Sequence, residues 1–150
     1  MPVSLVPSCL PIGRATQPRY HRIPLYESLI QCGFTSPATD FIEKMCNLHD
    51  LCVTNEEATF FARATGDSMI EAGIEPGSLL VVDASLEARA GDIVVAWYDN
   101  EFTCKYIRFA PPLTVLVAAN PKYTPIYVQP DDALRICGVV TYILKKPIRL

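Results

Sequence analysis

The sequence predicts a mainly β domain of twisted antiparallel strands, with a short helix at its Gly-Asp-Ser turn and an extended arm in front. Three observations predict it. Five apolar runs of strand length follow residue 77 and are separated by Gly, Pro, Asn and Asp. The chain has 150 residues, half of them hydrophobic, which suffices for one buried core. Pro2, Pro7, Pro11, Pro18 and Pro24 break up the first 24 residues, where no periodicity persists. Residues 1–40 are therefore expected to be a flexible arm and residues 41–150 the domain.

Along the chain, Leu25 to Ile30 reads as a short turn or strand that Gly33 interrupts. Ser36-Pro37 reads as a helix start, with Ser36 as N-cap, Pro37 in the first turn, and Phe41 and Met45 on one face, ending near Cys46 or Asn47. After Asn55-Glu56-Glu57 the pattern changes to β over Ala58 to Thr65. The turn Ala64-Thr65-Gly66-Asp67-Ser68-Met69-Ile70 interrupts that run, and a short helix is expected over Met69 to Ala72.

Further strands are expected over Ser78–Asp83, Asp92–Tyr98, Glu101–Phe109, Leu113–Ala118 and Leu134–Leu144, with turns at Pro76-Gly77, Ala90-Gly91-Asp92 and Asp99-Asn100. Asp99-Asn100 between two apolar runs is a hairpin signal, and it places Lys105 on a central strand.

Composition excludes several classes of function. A net charge of −3 argues against the basic footprint that neutralises phosphates, so no direct specific DNA binding is expected, and any link to DNA would run through a partner. The early arginines Arg14, Arg19 and Arg22 face only Glu27, so a cut after Cys32 would leave a more acidic product. No apolar run approaches the roughly 18 residues that span a bilayer, so no membrane is expected. Cys9, Cys32, Cys46, Cys52, Cys104 and Cys137 form no CxxC pair, which suits free thiols in a reducing cytoplasm. Cys46, His49 and Cys52 offer three ligands at a spacing foreign to common zinc sites, so neither a metal nor another cofactor is expected.

The chemistry centres on Ser68. A serine hydroxyl needs a base to take its proton, and histidine is the usual one. His21 lies in the proline-rich arm and His49 in a polar segment, neither with a carboxylate partner that the sequence can place. Lysine can serve instead if burial makes it neutral, because desolvation disfavours the ammonium. Strand alternation puts Lys105 on one face with Thr103, Ile107 and Phe109. Taken singly, Lys105 reads more simply as an edge charge that deters aggregation, and Ser68 as a helix N-cap. Backbone N–H groups at a helix start can also stabilise an oxyanion, here those of Asp67 and Ser68.

The same residues carry a family resemblance. From about Arg22 onwards the chain resembles the LexA/UmuD family of self-cleaving SOS-response serine peptidases. The matching segments are Ile23-Pro24-Leu25-Tyr26, Gln31-Cys32-Gly33-Phe34, Ser36-Pro37-Ala38, Gly66-Asp67-Ser68-Met69-Ile70, Gly91-Asp92-Ile93-Val94, Glu101-Phe102-Thr103-Cys104-Lys105 and Gly138-Val139-Val140. The resemblance implies the LexA/UmuD peptidase-like fold over residues 41–150, with Ser68 as nucleophile, Lys105 as general base and Cys32-Gly33 as the bond the protein cuts in itself.

It also implies a homodimer, activation by the RecA filament on single-stranded DNA, and a processed form that serves an error-prone UmuC-like Y-family translesion DNA polymerase. Residues 1–21 exceed the arm usual in the family. A non-cleaving polymerase subunit, acting as the full-length dimer, is the alternative. A repressor would need a DNA-binding domain longer than this arm, and a signal peptidase would need a membrane anchor.

Overall fold

The computed structural model describes residues 21–26 and 42–149. Contacts divide the chain between Asn47 and Leu48. In the first unit, β1 (Ile23–Tyr26) pairs antiparallel with β2 (Ile42–Cys46), with Ile23 opposite Cys46 and Tyr26 opposite Ile42. Pro24 is accommodated because a two-stranded ribbon has only edge strands, where a missing N–H need not break a ladder.

The second unit begins with α1 (Leu48–Cys52) and a 3₁₀ turn at Glu56–Ala58. Seven antiparallel strands follow: β3 (Thr59–Arg63), β4 (Leu79–Asp83), β5 (Ile93–Tyr98), β6 (Glu101–Ala110), β7 (Leu113–Val117), β8 (Ile126–Val128) and β9 (Arg135–Leu144). Their order in the sheet is β3-β4-β9-β5-β6-β7-β8. The last long strand thus inserts between β4 and β5. The β5–β6 hairpin closes on Asp99 and Asn100, both with positive φ, the conformation a two-residue turn needs to match strand twist.

Strand β5 is apolar along both faces because it packs on both. Val94 and Ala96 join Ile107, Leu116, Val128 and Val139 in one buried cluster, while Val95 joins Met69, Ile74, Leu80 and Val82 in another. Strand β9 reaches both neighbours by bulging. Cys137 is the extra residue against β5 and Thr141 the extra residue against β4.

At Gly138, beside the first bulge, the β4 backbone comes so close that a Cβ would lie 2.7 Å from Val82 Cγ1 and 2.9 Å from the Asp83 carbonyl oxygen. Gly138→Ala is therefore expected to destabilise the protein by about 1–3 kcal/mol, the usual range for overpacking. A lowered denaturant midpoint with an unchanged slope would show it, and an unchanged midpoint would refute it.

Four expectations need correction. The helix read to Cys46 is not present over residues 42–46, which form β2; its start at Ser36-Pro37 lies outside the described residues. The Phe41–Met45 spacing is one helical turn, too short a span to fix a period, and the partner strand β1 supplies the hydrogen bonds. Strand β1 begins at Ile23, inside what reads as irregular arm. The polar segment around His49 is helical, as α1. The short strand β8, between Pro125 and Pro130, has no counterpart among the expected strands, since three residues carry no measurable alternation. Among the described residues, no helix is long and apolar enough to cross a membrane.

Candidate functional site

The Ser68 turn lies in the connection between two paired strands. Beyond Arg63 and Leu79 the β3–β4 pairing continues through Ala64 N–H to the Ser78 carbonyl and Gly77 N–H to the Ala64 carbonyl, each 2.8 Å. Residues 65–76 are the loop that this pairing closes. Gly66, at φ 72°, takes a left-handed conformation that other side chains rarely adopt, and it turns the chain into Asp67-Ser68.

Met69 then anchors the loop. Its side chain is buried in the Leu80–Val82 cluster, and its sulfur accepts the Ala119 N–H at 3.4 Å. One residue is thus held in the core while its neighbour Ser68 stays partly accessible.

The helix after the serine is shorter than expected. It is a 3₁₀ turn over Ile70–Ala72, its N-cap is Met69, and no side chain caps it. The N-cap reading of Ser68 is thereby corrected. The Ser68 hydroxyl instead receives a hydrogen bond from Lys105 Nζ at 2.9 Å.

Lys105 stands on the interior strand β6, paired with Val94 of β5. Its Nζ also donates to Thr103 Oγ1 at 3.0 Å and to the Cys104 carbonyl at 3.0 Å. These three acceptors match the three protons of an ammonium. They also match a neutral amine, whose two N–H bonds would go to Thr103 and Cys104 and whose lone pair would face the Ser68 hydroxyl. The edge-charge reading of Lys105 does not fit a half-buried amine on an interior strand.

Burial lowers the Lys105 pKa from the ordinary lysine value, with smaller opposing contributions from Cys104 and Glu101. Burial pushes the neighbouring Cys104 thiol up to about 11, so it stays protonated at neutral pH. A lowered lysine touching a serine hydroxyl is an arrangement able to transfer a proton from oxygen to nitrogen.

Asp67 has its own partners. Its carboxylate accepts a hydrogen bond from the Tyr123 hydroxyl, and its backbone carbonyl accepts from Asn120 Nδ2 at 2.9 Å. The Tyr123 bond is the first cause holding the Asp67 carboxyl below the usual range, and the same bond raises Tyr123.

The structure thus brings together Asp67, Ser68 and Lys105, while Cys32 and Gly33 lie outside the described residues. His49 does have carboxylates nearby: Asp50 Oδ1 is 4.0 Å from Nδ1 and Glu56 Oε1 is 3.8 Å from Nε2. Asn120 and Tyr123 escape the sequence reading, and Thr103 enters it only as a face neighbour of Lys105, not as a partner of the amine. The pair Asn120-Pro121 is a turn signal that could have drawn attention to the first two, and strand alternation already pairs Thr103 with Lys105.

Comparison with known proteins gives a consistent result. Residues 24–141 match the family model described as Peptidase S24-like. The chain is 41% identical to Protein ImpA of Salmonella typhimurium over 124 residues, 82% of this chain and 83% of that protein. It is 41% identical to Protein MucA of Escherichia coli over 134 residues, 88% of this chain and 91% of the relative. A LexA repressor from Oleidesulfovibrio alaskensis is 42% identical over 93 residues, 62% of this chain and 45% of its own length.

Proposed function

This chain belongs to the peptidase S24-like family, and from that premise we propose that it is a serine autopeptidase that cuts its own Cys32–Gly33 bond with Ser68 and Lys105. The observation that carries the reading is the 2.9 Å contact between the Ser68 hydroxyl and a half-buried lysine amine. Neutral Lys105 takes the Ser68 proton as Oγ attacks the Cys32 carbonyl carbon. The carbonyl electron pair moves to its oxygen, which the backbone N–H groups of Asp67 and Ser68 receive. Collapse breaks the C–N bond, and Lys105 returns the proton to the Gly33 nitrogen. Water, deprotonated by Lys105, then hydrolyses the ester between Ser68 and Cys32.

A tethered bond has a high effective concentration, so a weakly basic, slowly activated site suffices for one turnover per chain. In this reading residues 1–40 are the arm that carries the bond to be cut, and residues 41–150 include the peptidase and dimerisation domain.

The LexA/UmuD resemblance supports a place in the SOS response to DNA damage. The protein would act in the cytoplasm as a homodimer, cleave when it meets a RecA filament on single-stranded DNA, and serve in processed form as accessory subunit of a UmuC-like Y-family polymerase in mutagenic translesion synthesis.

Intact mass of the purified full chain tests the reading, after incubation at neutral and alkaline pH and with added RecA filament. A species running from Gly33 to Leu150 is expected. A chain that stays whole in every condition would overturn self-cleavage in favour of an accessory subunit acting as the full-length dimer.

A further inference from the structure

The β7–β8 connection grips the serine turn through a prepared side chain. Asn120 to Tyr123 form a turn in which Tyr123 N–H donates to the Asn120 carbonyl at 3.1 Å, and Pro121 presets the second position. Within it, Asn120 Oδ1 accepts the Lys122 N–H at 3.0 Å, which orients the amide group. Asn120 is also only 7% exposed, so a buried, pre-oriented Nδ2 meets the Asp67 carbonyl at 2.9 Å. Ile70 N–H reaches that same oxygen at 3.2 Å.

That carbonyl shares a peptide plane with the Ser68 N–H, and across a trans peptide the two point in opposite directions. Two donors on the oxygen therefore fix the direction of the N–H on the far side. The Tyr123 hydroxyl adds a second tether from the same connection, on the Asp67 carboxylate. Glu71 N–H donates to the Ala119 carbonyl at 2.9 Å and ties the end of the turn to that connection.

We infer that Asn120, assisted by Tyr123, is a positioning residue for self-cleavage: it holds the Asp67–Ser68 peptide so that the Ser68 N–H is aimed at the oxygen that becomes negative when Ser68 attacks. The inference rests on the Ser-Lys reading above. Asn120 touches neither reacting bond, and it acts through the peptide that it orients.

The test is the first-order self-cleavage rate of the full chain against pH for wild type, Asn120→Ala and Asn120→Asp. Asn120→Asp preserves side-chain shape and the acceptor for Lys122 N–H, but puts an oxygen where Nδ2 donates. Removal of an oxyanion donor costs about 10²–10³-fold, so misaiming one is expected to lower the alkaline plateau by about 10–100-fold. Both variants should show this, with the aspartate no better than the alanine and the pH midpoint of the uncharged Asn120→Ala variant unmoved.

A role confined to bracing the Lys122 turn would instead let Asn120→Asp restore the rate, and that rescue overturns the inference. A wild-type plateau in Asn120→Ala, or a displaced midpoint in that variant, overturns it too. Should both variants lose the native near-UV spectrum, Tyr123→Phe decides. Losing that one hydrogen bond is expected to lower the plateau about 2–10-fold, and an unchanged plateau overturns the inference. A wild type that never cleaves overturns the Ser-Lys reading together with this one, whereas a cleaving wild type with unaffected variants overturns this one alone.

Discussion

Ser68→Ala is expected to leave the chain at its full mass under every condition in which wild type is cut. The alanine keeps the loop, because the turn is held by Gly66, by the Met69 side chain in the core and by the bonds of Asp67, none of which uses the serine hydroxyl. Only the oxygen bonded to Lys105 is removed. Without it no ester can form, and loss of a nucleophile from such a unit costs about 10⁴-fold or more in rate. A denaturation midpoint close to that of wild type should accompany the loss. Cleavage of Ser68→Ala at even a hundredth of the wild-type rate would remove Ser68 from the chemistry.

The second large effect concerns pH and Lys105. Only the neutral amine can accept the serine proton, so the cleavage rate should rise about tenfold per pH unit on the acidic side and level off above the Lys105 pKa. Burial sets that pKa below the ordinary lysine value, which brings the plateau to lower pH than a solvent-exposed lysine would allow.

Stability follows the same sign. The folded state binds the lysine proton less tightly than the unfolded chain does, so this group's contribution grows as pH climbs from the folded pKa to the unfolded one, and is lost as pH falls back. Lys105→Ala should abolish cleavage across the range. Lys105→Arg separates a base from a mere positive charge, because a guanidinium does not deprotonate. Cleavage by the arginine variant, or a rate independent of pH in wild type, would exclude lysine as the base.

Much of the fold is legible in local sequence. The apolar runs from Leu79 onwards become β4, β5, β6, β7 and β9 because each has a length and a pair of turn residues that a helix would not use. Asp99-Asn100 announces its hairpin for the same local reason. The elements that mislead are short: residues 42–46 have one helical turn's worth of pattern, α1 has five residues and β8 three, and in each the outcome depends on what lies alongside.

By itself, then, the sequence determines the β class, the turn at Gly66-Asp67-Ser68 and the apolar strand that carries Lys105, since these depend on residue type and near-neighbour spacing. Tertiary structure alone decides that Ser68 and Lys105, 37 residues apart, meet at 2.9 Å. It also decides that Thr103 shares the amine and that Asn120 and Tyr123 hold Asp67 from 53 and 56 residues away. The reason is that such contacts follow from strand order and register, above all the insertion of β9 between β4 and β5. Register is selected by burying both faces of β5 at once, a property of the whole packed sheet that no local window contains.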